Sequence, residues 1–265
     1  MLRKISLLAM ATSLSIVCFA QSKPAEITLD ELLAKNLKAH GGADKVNAVK
    51  SVRMTTTIEY APGADADYII EVARPDKVHY GFTLQGMTQS QGYDGKVGWG
   101  NDPFSGKKDA EPLGEDDLKD IQEQADFGFP LSAYKDKGYK MEYLGMDPVE
   151  GSDAYKVKIT LPNGDDVTYY LDADYFLEIR EEVKRRVRGA EREIDTSIGN
   201  YKEFAGVQFP CYFETGTKGN PNTQKISVEK IEVNPPGVGD ALFKMPEKKA
   251  APPQKPADKK GATHE

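Results

Sequence analysis

The chain has 265 residues, 39% of them hydrophobic and 29% charged, with a formal net charge of −7. Those proportions are globular and leave room for a sizeable core, which excludes a fibrous or wholly disordered chain. The acidic balance argues against a nucleic-acid partner, whose phosphates would repel it, and two cysteines cannot make a disulfide framework.

Met1 to Ala20 carries Arg3 and Lys4, then an apolar run from Ile5 to Phe19, then the small Ala20. This pattern predicts a secretory signal peptide cleaved after Ala20, because the run is too short for a stable membrane span. Cys18 invites a lipoprotein reading, but the bulky Val17 departs from the small residue that such a signal wants before its cysteine. Cleavage would leave Cys211 alone, as a small half-buried hydrophobe on a strand. No later apolar run reaches spanning length, so the mature chain is expected to be soluble.

Thr28-Leu29-Asp30-Glu31 has the form of a capping box at a helix start. Leu29, Leu32, Leu33 and Leu37 follow at helical spacing, and Gly41-Gly42 supplies the stop. A short helical piece over residues 43–50 leads into Val52, Met54, Thr56, Ile58 and Tyr60, which alternate with polar residues as a half-buried strand does. Pro62-Gly63 marks a loop. Strands are predicted at Tyr68 to Ala73 and Val78 to Leu84, then at Thr88 to Tyr93 and Lys96 to Trp99 around the hairpin signal Asp94-Gly95. Residues 101–112 read as a loop, Glu115 to Phe127 as an acidic amphipathic helix, and Pro130 to Asp136 as a further helical turn.

A strand at Lys140 to Leu144 precedes a meander over Ala154 to Val183. There Tyr155, Val157, Ile159 and Leu161 alternate with polar residues, Asn163-Gly164 turns the chain, and Val167, Tyr169 and Leu171 share a face. After a second turn, Tyr175, Leu177 and Ile179 alternate with Phe176, Glu178 and Arg180. Further strands are predicted at Arg192 to Tyr201, Val207 to Thr215 and Lys225 to Val233, and Leu242-Phe243 with Met245-Pro246 forms a closing patch. Residues 247–265 are rich in Lys, Pro and Ala and read as a disordered tail. About a dozen strands in one run without βαβ alternation predict a mainly β (α+β) fold: a single curved antiparallel sheet wrapped around an N-terminal and an inserted amphipathic helix.

Positioned chemistry is sparse. His40 sits at a helix end, where it is most simply a dipole-favoured cap, His79 lies in a strand and His264 in the tail. No two histidines have metal-ligand spacing, and there is no Gly-x-Ser-x-Gly elbow or phosphate loop. Asp165, Asp166, Asp172 and Asp174 are what turns select, and they lack the alternation and closing Glu of a calcium loop. Lys184, Arg185, Arg186, Arg188 and Arg192 are interleaved with glutamates, which favours a solvated hairpin end over a docking patch. Trp99 reads as a core or rim residue. No enzyme activity, metal or cofactor is expected.

The helix end Ala39-His40-Gly41-Gly42, the Tyr93-Asp94-Gly95 hairpin leading to Trp99, the strand end Tyr169-Tyr170-Leu171-Asp172 and the closing Leu242-Phe243-Lys244-Met245-Pro246 together resemble the LolA/LolB-like periplasmic lipoprotein-sorting superfamily. The resemblance covers residues 27–246. It implies a half-open barrel in the periplasm whose concave apolar face takes acyl chains of lipoproteins or other lipids, with a possible inner- or outer-membrane partner protein. An envelope sensor or scaffold that binds a protein and carries no lipid is the alternative, since superfamily members also act as stress sensors. The alternation nominates Met54, Ile58, Tyr80, Phe82, Val157, Ile159, Tyr169 and Leu177 as the acyl-cavity lining, with Leu29, Leu33, Leu118 and Ile121 on the covering helices.

Overall fold

The computed structural model describes residues 27–61, 64–125, 130–187 and 190–247. The predicted signal peptide with Cys18, the end of the acidic helix at 126–127 and the tail with His264 lie outside them. Helix α1 (Leu29–Ala39) opens with the expected capping box: the Glu31 amide donates to Thr28 Oγ1 at 3.3 Å and the Thr28 amide to Glu31 Oε2 at 3.0 Å. It stops at Gly41 and Gly42, both at positive φ, and leads through α2 (Ala43–Ala48) into the first strands. Gly41 has a second reason to be glycine, because a Cβ there would lie 2.3 Å from the Gly206 carbonyl oxygen.

Six strands follow in order: β1 (Ser51–Ala61), β2 (Ala64–Ala73), β3 (Lys77–Leu84), β4 (Met87–Tyr93), β5 (Gly98–Asp102) and β6 (Lys107–Pro112). After helices α3 (Glu115–Gln124) and α4 (Pro130–Asp136) come β7 (Lys140–Met146), β8 (Ala154–Thr160), β9 (Asp166–Asp172), β10 (Glu178–Val187), β11 (Ala190–Gly199), β12 (Lys202–Phe204) and β13 (Val207–Phe209). The chain closes with β14 (Tyr212–Thr217), β15 (Gln224–Ser227), β16 (Lys230–Val233) and the short helix α5 (Asp240–Phe243). The expected loop at 101–112 in fact contains β6. Its sequence, KKDAEP, is exposed almost throughout at the sheet edge, so it carries no apolar alternation to read.

The hydrogen-bond ladders resolve two antiparallel seven-stranded sheets, ordered β16-β1-β2-β3-β4-β5-β6 and β15-β14-β11-β10-β9-β8-β7, with β12-β13 as a separate hairpin. The single curved sheet read from the sequence therefore has a seam, and it falls between β15 and β16. At that point the Val228 amide donates to Cys211 O at 2.9 Å in one sheet and the next amide, Glu229, donates to Thr55 O at 3.0 Å in the other. One predicted strand thus crosses from sheet to sheet, and the whole remains an open, unclosed antiparallel wall with few helices.

Two clusters of buried side chains fill its concave side. Against the β1–β5 sheet, Val52, Val72, Val78 and Tyr93 pack with Val46 and Val49 at α2, Ile121 and Ala125 at α3, and Val207 and Phe209 of β13. Against the β7–β11 sheet, Val157, Ile159, Val167, Tyr169 and Leu171 pack with Leu32 and Leu33 of α1 and Leu131 and Tyr134 of α4. Helices α2 and α3 cover the first sheet and α1 and α4 the second, with Leu37 of α1 reaching the first cluster as well.

Candidate functional site

Cross-strand register defines the concave face of the β1–β5 sheet rung by rung. Val52, Val72, Val78, Tyr93 and Gly98 form the innermost rung, and Met54, Ile70, Tyr80, Gln91 and Gly100 form the next. Thr56, Tyr68, Phe82 and Gln89 make a third, and Ile58 pairs with Ala66 in a fourth. The innermost rung is sealed by α2 and α3, and a side chain at Gly98 would strike Leu118 Cδ1 at 2.6 Å. Met54, Ile70 and Tyr80 only flank that cluster, while Ile58, Tyr68 and Phe82 share the face, are half-buried and belong to no buried cluster.

The sequence-nominated residues accordingly separate. Met54, Tyr80, Leu118 and Ile121 meet around the first cluster, whereas Val157, Ile159, Tyr169, Leu29 and Leu33 meet in the second. Val157 and Ile159 are fully buried, so their contacts are with the helices that cover them. Ile58 and Phe82 stand on the outer rungs, with Phe82 edge-on to Phe104 at 6.0 Å. Leu177 lies just before β10, outside both clusters.

The parity read from the sequence fails around Leu177 because Phe176 takes a positive φ of 60° in the turn held by the Asp172 carboxylate. A register shift between Glu178 and Arg180 adds to it. The inward residues are instead Phe176, stacked on Tyr155 at 5.7 Å beneath Lys35, and Glu178.

Glu178 is the centre of a buried polar network that sequence reasoning missed. His40 Nε2 lies 2.7 Å from Glu178 Oε2, and its Nδ1 lies 3.0 Å from the Gln208 carbonyl oxygen. Both neighbours are acceptors when Glu178 is ionised, an arrangement that favours the doubly protonated imidazolium. Asn36 Nδ2 donates to Glu178 Oε1 at 3.0 Å and to Phe176 O at 2.8 Å, and the Tyr201 hydroxyl donates to Glu178 O at 2.8 Å. Burial alone would lower the His40 pKa, but the Glu178 charge and its hydrogen bond, with the Gln208 carbonyl, raise it overall. Burial would likewise raise Glu178, and the charge and hydrogen bond of His40 outweigh it and lower it. The network ties the end of α1 to β10 and to the β12–β13 hairpin. The one sequence signal for it was His40 beside Gly41-Gly42.

Two neighbouring tyrosines also have partners: Tyr169 OH donates to Glu181 Oε1 at 2.6 Å, and Gln122 Nε2 donates to Tyr93 OH at 3.2 Å. Burial pushes the Glu181 carboxyl above its ordinary range, in spite of the Tyr169 hydroxyl and the nearby Arg185 charge. Tyr68 and Tyr80 stack at 6.2 Å, and burial pushes the Tyr68 phenol up to about 12 and Tyr80 well above its ordinary value.

On the convex side, Glu71 is gripped by Arg53 Nε at 2.6 Å and His79 Nδ1 at 2.9 Å. Trp99 Nε1 donates to Phe243 O at 2.8 Å, which pins the closing segment across the sheet. A groove of about 870 Å³ beside it is lined by His79, Trp99, Asn101, Lys108, Leu242 and Met245. The predicted Asp-rich turn is accounted for by local bonds, such as the Asp165 amide to Asn163 Oδ1 at 3.0 Å. Cys211 is buried, and burial raises its thiol pKa.

An open antiparallel wall with helices laid against its concave face is a half-barrel. Among solved structures, the chain is similar to a LolA superfamily protein from Nitrosomonas europaea, with TM-score 0.54 and 13% identity, covering 83% of this chain and 98% of that one. It is similar also to a domain from Vibrio parahaemolyticus assigned to the outer membrane lipoprotein-sorting proteins, with TM-score 0.53, 11% identity and coverage of 80% and 94%. A DUF1329 family protein from Desulfovibrio piger matches with TM-score 0.56, 9% identity and coverage of 81% and 96%. No family model and no curated protein matches the chain. The fold is shared with these structures at low identity.

Proposed function

We propose that the protein is a periplasmic carrier that binds acyl chains of lipoproteins or other lipids on the outer rungs of its concave face and works by binding, without turnover. The observation that carries this reading is that Ile58, Tyr68 and Phe82 are aligned on the face that buries the core two rungs further in, yet belong to no buried cluster. These side chains are half-buried, and a guest that covered what they still expose would gain about 0.8 kcal/mol for each methylene removed from water. The low-identity likeness to lipoprotein-sorting structures points the same way. The leader read in Met1 to Ala20 supports export.

Native mass spectrometry of protein extracted gently from the cell envelope tests the reading. A carrier emerges with bound acyl lipid or lipoprotein, and it releases a fluorescent fatty-acid probe when unlabelled lipid is added. Protein that emerges bare and binds no probe contradicts it.

A further inference from the structure

Polar side chains on the concave face fall into two groups. Those near the core have protein partners: Tyr93 accepts from Gln122, Tyr169 donates to Glu181, and Thr196 donates to Thr215 Oγ1 at 2.9 Å. On the outer rungs Thr56 donates to Ser227 O, but four larger side chains differ. Tyr68, Tyr80, Gln89 and Gln91 make no side-chain hydrogen bond among the described residues, although all four are half-buried. They are contiguous, since Tyr80 faces Gln91 directly across β3 and β4, while Phe82 stands between Tyr68 on β2 and Gln89 on β4. Their polar atoms still reach water, so the four are available to bond a partner from outside the chain.

The chemistry of the band is distinctive in carrying no charge. It offers phenolic and amide donors and amide carbonyl acceptors, and its second rung runs on past Gly100 to Glu111, an acid exposed on the edge strand. A carboxylate or phosphate brought here would lose its hydration without gaining a cation, and Glu111 would repel it. An ester or amide carbonyl can accept from the phenols and a hydroxyl or amide N–H can donate to the glutamines, all without burying charge.

Resting on the carrier reading, we infer that Tyr68, Tyr80, Gln89 and Gln91 form the recognition band for the linkage of the cargo, and that the protein selects uncharged acyl esters or amides over free fatty acids. The apolar rungs on either side, with Ile58 and Phe82, take the chain itself.

The test measures displacement of N-phenyl-1-naphthylamine from the purified protein by monopalmitoylglycerol and by palmitate, at a pH where palmitate is ionised. The wild type should prefer the glycerol ester by about tenfold, two or three ordinary hydrogen bonds being sufficient for that. Any apolar pocket disfavours a carboxylate to some degree, so variants decide the matter. The double variant Tyr68→Phe with Tyr80→Phe, and separately Gln91→Leu, should weaken ester binding more than palmitate binding and bring the ratio towards parity. Equal binding of ester and palmitate by the wild type overturns the inference, as does a preference that survives in both variants. In either of those results the naphthylamine still binds and the carrier reading stands. Failure of the naphthylamine to bind the wild type overturns both.

Discussion

His40 and Glu178 are separated by 138 residues in the chain and by 2.7 Å in space, with side chains only 2% and 3% exposed. The contact makes the end of α1 inseparable from β10, so the helix that covers the second cluster is anchored by charge as well as by its leucines. Removing one partner of such a pair leaves a charge buried alone, which costs roughly 3–5 kcal/mol. Glu178→Gln should therefore lower unfolding stability by about that amount in a denaturant titration, and a loss below 1 kcal/mol would show that the network is wet.

The same pair sets a pH window. The contribution of His40 is complete below the ordinary imidazole value of 6.5 and is lost as pH rises through its raised pKa. The contribution of Glu178 is complete above the ordinary 4.5 and is lost as pH falls through its lowered pKa. Both act together between those values, so the stability penalty of His40→Gln should be greatest between pH 4.5 and 6.5 and shrink as pH rises through the raised imidazole value. Denaturant midpoints at a series of pH values read this out, and a penalty that grows steadily to pH 9 contradicts it.

Glu181 behaves in the opposite sense to Glu178. Its pKa is raised, so its protonated form stabilises the fold below the ordinary value of 4.5, and that stabilisation is lost as pH rises through the raised value. Gln in its place keeps an acceptor for Tyr169 and has no charge to desolvate. Glu181→Gln should match the wild type at pH 4 and exceed it at pH 8 in thermal melts, and an advantage confined to acid would refute the assignment.

Trp99 is the only tryptophan in the chain, and its indole donates to Phe243, which is fully buried. Phe243→Ala should cost about 3–5 kcal/mol and shift the tryptophan emission to the red as the closing segment loosens. An unchanged spectrum would place that segment elsewhere in solution.

Much of this was legible in the chain. Local signals carried the capping box at Thr28, the hairpin at Asn163-Gly164 and the inward faces of β1, β3, β8 and β9, because each depends on neighbours a few residues away. Four features were not. The edge strand β6 has little buried face and so no period. The seam at Val228-Glu229 depends on which strand each amide meets across the sheet. The inward turn of Glu178 results from one positive φ at Phe176 and a register shift, which flip the face of every residue between them. The His40 network was hidden for the same reason, since its members come from α1, β10 and the segments around Tyr201 and Gln208.

The central claim is that the outer rungs of the concave face hold an acyl chain. Titration of the purified wild type and of Phe82→Asp with a fluorescent fatty-acyl probe tests it most directly, with circular dichroism to verify that both are folded. The account predicts saturable binding at one site in the wild type and a loss of at least about tenfold in the variant, because a carboxylate replaces the aromatic wall. Absence of saturable binding in the wild type, or equal affinity in the folded variant, would contradict it.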